Sequence, residues 1–294
     1  MILSSEIKAG VPIRYETLAC TQLKVQLRCG KKVPCSGFLG SYGQTIFLIT
    51  NWHCLSGRRS DNKQYIFGAT KVPVSVEFNY WEIEYNDQVR KYRQKSLQID
   101  LFREKEPVWL VHKDFTYQID VCALNLTNLC GLDVEDVISI DCGQTLFSFF
   151  DEDGRPDYSE YLFPDVAEDV YVLCSVKLPN GLESNSIWKK ASVASEPYFL
   201  GDGKLPFFYV DSATRSGMSG SPVLYFGKNF IGTSGERHLQ MANMPRLWLA
   251  GVYSGRSGID RQTDDETSFQ LGRVWRNDAV LQILESGIYD PTQP

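Results

Sequence analysis

Residues 45–54 read TIFLITNWHC. The stretch Thr45 to Thr50 is apolar or β-branched, which reads as a short buried strand. It then runs into Asn51, Trp52 and His53, where a side chain can leave a sheet and face a cleft. Comparable runs recur along the chain. They are LKVQLR (23–28), VSVEFNYWEIE (74–84), IDVCALNL (119–126), DVYVLCSV (169–176), SIWKKASVAS (186–195), PFFYVD (206–211), PVLYF (222–226) and RLWLAGVYS (246–254). Gly, Pro, Asn or Asp bound most of them, and LPNGLES (178–184) carries an Asn-Gly turn signal. Short strands at this spacing, without alternating helices, indicate an all-β sandwich or barrel.

One helix is expected, and it is the last element. Asn277 can cap it, Asp278 falls in its first turn and Gly287 follows its end. Val280, Leu281, Ile283 and Leu284 give it one apolar face. The charged insert 85–110 reads as a long hairpin. Residues 127–138 read as a linker between two β-rich halves, 150–168 as an acidic surface loop, and 289–294 as a frayed tail.

Length and composition narrow the function. The chain has 294 residues, 43% hydrophobic and 22% charged, with a formal net charge of -6. That acidic balance argues against a nucleic-acid binder. No apolar run approaches the roughly 20 residues of a membrane span, and MILSSEIKAGVPIRYET has no signal-peptide core. A cytoplasmic location is the expectation. The eight cysteines form no CxxC pair, so no zinc ribbon, metal or other cofactor is expected; they read as small buried apolar residues.

The chemistry concentrates in SATRSGMSGSPVL (212–224), where Gly217 and Gly220 bracket Ser219. Such a loop is either a tight turn into a strand or a hydroxyl offered together with backbone N–H groups. A serine needs a base, and the base needs an orienting partner. Of the histidines at 53, 112 and 238, only His53 follows a clean strand; the other two lie in polar, loop-like contexts. Asp120 precedes the apolar run VCALNL, where an unpaired acid is costly to bury. Asp100 and Asp114 are its rivals.

These residues carry a resemblance. TIFLITNWHC resembles the strand and turn that hold the catalytic His of trypsin- and chymotrypsin-like serine proteases. IDVCAL (119–124) resembles the family's Asp motif, GMSGSPV (217–223) its nucleophile motif, and LAGVYSG (249–255) its substrate-pairing strand. The order His, Asp, Ser is the family's order. IWKKASVASEP, SGMSGSPV and LGRVW also resemble stand-alone bacterial trypsin-like peptidases.

The resemblance implies two antiparallel six-stranded β-barrels with a C-terminal α-helix. Residues 1–130 would carry His and Asp, and residues 131–294 would carry Ser. Ser219 would be the nucleophile, His53 the general base and Asp120 its orienter. The N–H groups of Gly217 and Ser219 would form the oxyanion hole. Ser254 would touch Asp120, and Ser254, Gly255 and Arg256 would pair with substrate. Ala213 and Thr214 would line the specificity pocket, with Phe269 and Gln270 opposite. Gly255 stands where the family's substrate strand commonly has Trp, so a nearby pocket wall would be missing or supplied by Tyr253 or Trp248. Met218 stands where zymogen-activated members carry Asp, and no Ile-Val-Gly-Gly-like start occurs, so activation by N-terminal cleavage is not expected. In oxidising compartments family members bridge the pair matching Cys35 and Cys54; here free thiols are expected. The implied function is a serine endopeptidase acting on proteins or peptides, regulated in bacterial defence or stress, with room for a regulatory protein partner. A catalytically inactive binding module of the same fold is the alternative.

Overall fold

A computed structural model describes residues 6–7, 13–86, 89–143, 164–175, 186–197, 199, 205–212, 217–227, 230–233, 236–241, 246–256 and 271–292. Ala213, Thr214, Phe269, Gln270, the 178–184 turn and most of the 150–168 segment lie outside them.

Among the described residues, the N-terminal half together with Ile288–Tyr289 forms one ten-stranded sheet. Its central order is Val89–Asp100, Pro73–Asn86, Cys20–Leu27, Lys32–Tyr42, Thr45–Thr50, Cys122–Asn125 and Leu110–Val111, all antiparallel neighbours. The charged insert is therefore half of a longer hairpin that begins at Pro73. TIFLIT lacks polar alternation because both of its faces are covered. Ile46 and Leu48 join Leu23, Leu39, Val76, Phe78 and Trp109 in one core, while Phe47 and Ile49 join Phe38, Val121 and Ala123 in another. A strand buried on both sides reads as a continuous apolar run.

The C-terminal half is a closed six-stranded barrel: Asp169–Cys174, Ile187–Val193, Phe207–Asp211, Leu271–Arg276, Arg246–Arg256 and Pro222–Gly227, with the last returning to the first. Val172, Phe208, Val210, Val223, Ala250 and Val274 fill it. The second sheet-half core continues across the molecule. Phe38, Phe47 and Ile49 share it with Leu173, Leu224, Leu249 and Trp275 of the barrel and with Val280, Ile283 and Leu284 of the helix.

The helix spans Asn277–Ser286 with Gly287 as its C-cap. Its N-cap is Arg276, not Asn277, which is the first helical residue. Arg276 instead pairs through its guanidinium with Asp278.

Two expected irregular segments are ordered by pairing. Within 127–138, Leu126–Cys130 is a short helix and Val137 bridges Glu82. Ile140–Asp141 then pairs parallel with Gly40–Ser41. The frayed tail is also corrected. Ile288–Tyr289 pairs with Leu110–Val111, and Asp290 is 1% exposed.

Candidate active site

The ladder between the two strands flanking the site places Cys122 opposite Thr50 and Leu124 opposite Leu48. Continuing that register two places brings Asp120 beside the turn Trp52–Ser56. The carboxyl group of Asp120 is nearly enclosed, at 4% exposure, and His53 is exposed at 22%. His53 Nδ1 lies 2.7 Å from Asp120 Oδ2, and the backbone N–H of His53 donates to Oδ1 at 2.9 Å. A carboxylate only accepts, so Nδ1 donates, and in the neutral ring Nε2 then keeps its lone pair. Asn51 Nδ2 donates to the backbone oxygen of Asp120 at 2.6 Å. Burial opposes charge on the His53 ring. The Asp120 charge, helped by the neighbouring Cys54 and by the Asp120 hydrogen bond, outweighs it, and the pKa stands well above the ordinary histidine value.

The barrel contributes the next partner. Ser254 Oγ donates to Asp120 Oδ2 at 2.6 Å. The ladder slips between Tyr253 and Arg256. Such an irregularity re-aims a side chain at a strand end, and here the re-aimed residue is Ser254. Gly255 follows with φ +86°, and a Cβ on it would stand 3.3 Å from Ser219 Oγ. A chain of contacts therefore runs from His53 through Asp120 and Ser254 to Gly255 and the Ser219 hydroxyl, joining sheet to barrel.

The Ser219 loop is tied to both halves. Ser36, in the sheet, donates its N–H to the Ser219 carbonyl at 2.9 Å and its hydroxyl to the Gly217 carbonyl at 2.7 Å. Thr50 Oγ1 secures the Ser36 carbonyl at 2.7 Å. From the barrel, Tyr253 O receives the Gly220 N–H and Ser221 O receives the Tyr253 N–H, both at 2.9 Å. Gly220 has φ +89°, and a Cβ there would collide with Ser36 O and Thr50 Oγ1. Gly217 has φ +93°. Glycine is required at both positions by conformation, and at 220 also by space.

The rival residues lie elsewhere. His112 is buried with Nε2 2.5 Å from Gln282 Oε1, and its Nδ1 accepts from the N–H groups of Asp114 and Phe115. That joins the helix to the sheet. Asp100 and Asp114 are exposed. His238 falls within the separate strand Glu236–Met241. Tyr253 and Trp248 are packed in the barrel core. Met218, 2% exposed, belongs to the same core.

All eight cysteines carry free thiols, six of them buried. Hydrogen bonding to Cys35, then burial, pushes the Cys54 thiol well above its usual range, which places the two sulfurs side by side. Burial pushes Cys20 up to about 12. A raised pKa keeps a buried thiol protonated. No group of three or more His, Cys, Asp or Glu among the described residues is arranged to hold a metal.

Sequence reasoning missed Ser36, Thr50 and Asn51. Each is an ordinary polar residue in or beside an apolar strand, and its signal is only that it is polar where neighbours are buried.

No family model matches the chain, and no curated protein matches it. Solved structures similar to it include an inactive form of a protease from M. tuberculosis, at 12% identity, covering 92% of this chain and 88% of that one, TM-score 0.44. An HtrA-type protease, AlgW with a tripeptide, matches at 13% identity over 93% of this chain and 63% of its own, TM-score 0.45. A collagenase matches at 15% identity over 97% and 96%, TM-score 0.42. What the site can do is read from its own geometry.

Proposed function

We propose that the chain is a serine endopeptidase that cleaves peptide bonds through an acyl-enzyme. The observation that carries this reading is the buried Asp120 carboxylate. It receives His53 from the sheet and Ser254 from the barrel, one residue before the backbone that faces Ser219 Oγ. In this reading Ser219 Oγ attacks the scissile carbonyl while His53 Nε2 takes its proton. His53 then returns the proton to the leaving amine, and water repeats the cycle on the ester. Asp120 holds the tautomer and stabilises the imidazolium. The N–H groups of Gly217 and Ser219 take the oxyanion charge. Residues Ser254–Arg256 offer backbone to an extended substrate.

Met218 cannot accept an ammonium from a new N-terminus, and Ser36 holds the loop from the opposite half instead. Activation without N-terminal cleavage is part of the proposal. So are a division near residue 130 and a regulated role in bacterial stress or defence. The likeness of IWKKASVASEP, SGMSGSPV and LGRVW to stand-alone bacterial peptidases supports the last of these. The use of buried thiols as core filler suits a reducing cytoplasm.

Incubation of the purified chain with a peptide library is the test. Turnover in the wild type that disappears in Ser219→Ala supports the reading. Turnover that persists in Ser219→Ala would refute Ser219 as the nucleophile, and a wild type inert on every peptide would leave the binding module.

A further inference from the structure

The turn that carries His53 has an anchor that the triad chemistry does not use. Trp52, adjacent to His53, is fully buried, and its Nε1–H donates to Asp290 Oδ2 at 2.6 Å. Trp109 Nε1–H donates to the same oxygen at 3.0 Å. The other oxygen, Oδ1, accepts the N–H of Thr292 at 2.9 Å. Asp290 also donates its own N–H to the Trp109 carbonyl. The segment reaches this place because Ile288–Tyr289 pairs with Leu110–Val111 and because Gln282 of the preceding helix holds His112. A buried carboxyl group of this kind is costly unless its oxygens are satisfied, and here three N–H donors satisfy them. Two tryptophans converging on one oxygen fix the Trp52 ring, and with it the direction in which the next residue leaves the turn.

We propose that Asp290 is a positioning residue for His53, acting through the indole of Trp52. The inference rests on the reading of His53 as the general base. Asp120 fixes the rotation of the imidazole from one side, and Asp290 fixes the backbone of the turn from the other. The base is then placed by two carboxyl groups contributed by segments far apart in sequence. A displacement of about 1 Å at a reacting group can cost about 100-fold in rate, so the anchor has kinetic weight although it touches no substrate.

The test uses the full chain with Asp290→Ala, Asp290→Asn and Trp52→Phe. Each preparation is normalised to the number of sites that a fluorophosphonate titrates. The readouts are acylation rate per titrated site, kcat and KM on a peptide substrate, and the low-field proton resonance of His53 Nδ1–H. The expected result for Asp290→Ala is a loss of about 10- to 100-fold in acylation rate and kcat with KM little changed. The resonance should shift or broaden. Asp290→Asn, which keeps an acceptor oxygen for the indoles, should recover most of the rate. Trp52→Phe, which keeps the ring and removes the donor, should reproduce part of the loss, and it decides the matter if Asp290→Ala does not fold. Variants that melt lower yet keep wild-type rates per site and an unmoved resonance would overturn the proposal, because Asp290 would then serve stability alone. A wild type that takes no probe would defeat the protease reading instead, and the resonance comparison would still decide whether Asp290 sets His53.

Discussion

The two sides of the cleft are built by different means. On the sheet side, His53 is held by side chains: Asp120, itself bound by Ser254, and the Trp52–Asp290 anchor. On the barrel side, Ser219 is held by its backbone, which Ser36 and Tyr253 grip from opposite directions while Gly220 leaves room for the approach. The first arrangement is electrostatic, so removing one charge changes it and pH can act on it. The second is steric and made of neutral hydrogen bonds, so it answers to an added methyl group and is indifferent to pH. In the proposed mechanism a base must be chemically tuned, whereas a nucleophile and an oxyanion hole must be placed.

The largest effects should come from breaking either side at its reacting atom. Ser219→Ala and His53→Ala should each cost on the order of a million-fold in turnover, because the groups act as a unit. Asp120→Asn should cost about 10,000-fold by destroying the tautomer. Equal losses at 219 and 53 in steady-state assays would support one joint site. An unimpaired His53→Ala would separate the two sides.

Gly220→Ala sharpens the contrast next. It places a methyl group against Ser36 O and Thr50 Oγ1 at φ +89°, and strain of this kind costs about 1–3 kcal/mol. Thermal melting should fall clearly and activity with it. A variant as stable as wild type would contradict the close approach.

Ser36→Ala is milder. It keeps the N–H bond to Ser219 and loses the hydroxyl bond to Gly217. A net stability loss of about 1 kcal/mol is expected. Affinity for a peptide boronate, which needs the oxyanion loop, should fall more than affinity for the product peptide. Equal falls would mean that Ser36 only packs.

The smallest effect is the pH dependence that only the sheet side should show. The raised His53 pKa means that kcat/KM climbs with pH through a midpoint above the ordinary histidine value of about 6.5. Stability runs the other way. Below the ordinary value the ring is protonated in folded and unfolded chains alike, and the stabilisation from Asp120 is complete. It is lost as pH rises through the raised folded value. Asp120→Asn should flatten this slope in melting curves taken across that range, whereas Ser36→Ala should leave it unchanged.

Sequence alone revealed the strands whose apolar runs are long, such as TIFLIT and PVLYF, because burial and pattern coincide there. It did not reveal Lys32–Tyr42. That strand contains a proline and two glycines, and composition argues against a strand. The fold needs Gly40, since a Cβ there would press on Ile49 and the Cys142 sulfur. The contacts of Asp120 with His53 and Ser254 were anticipated through the resemblance, whose motifs have a fixed local shape. Ser36 and Asp290 were not. Their partners are distant in sequence, and a serine in a strand or an aspartate near a chain end carries no local mark. The tail looked frayed because YDPTQP is polar and short of apolar residues, whereas its described part, as far as Thr292, is held by one carboxyl group meeting two indoles.

The most direct test of a single site assembled from both sides is fluorophosphonate labelling with the modified residue mapped by mass spectrometry. The account predicts one adduct, on Ser219, formed by the wild type and lost in Ser219→Ala, with His53→Ala and Asp120→Asn labelling far more slowly. Label on another residue, or labelling of Ser219 at the same rate without His53, would contradict it.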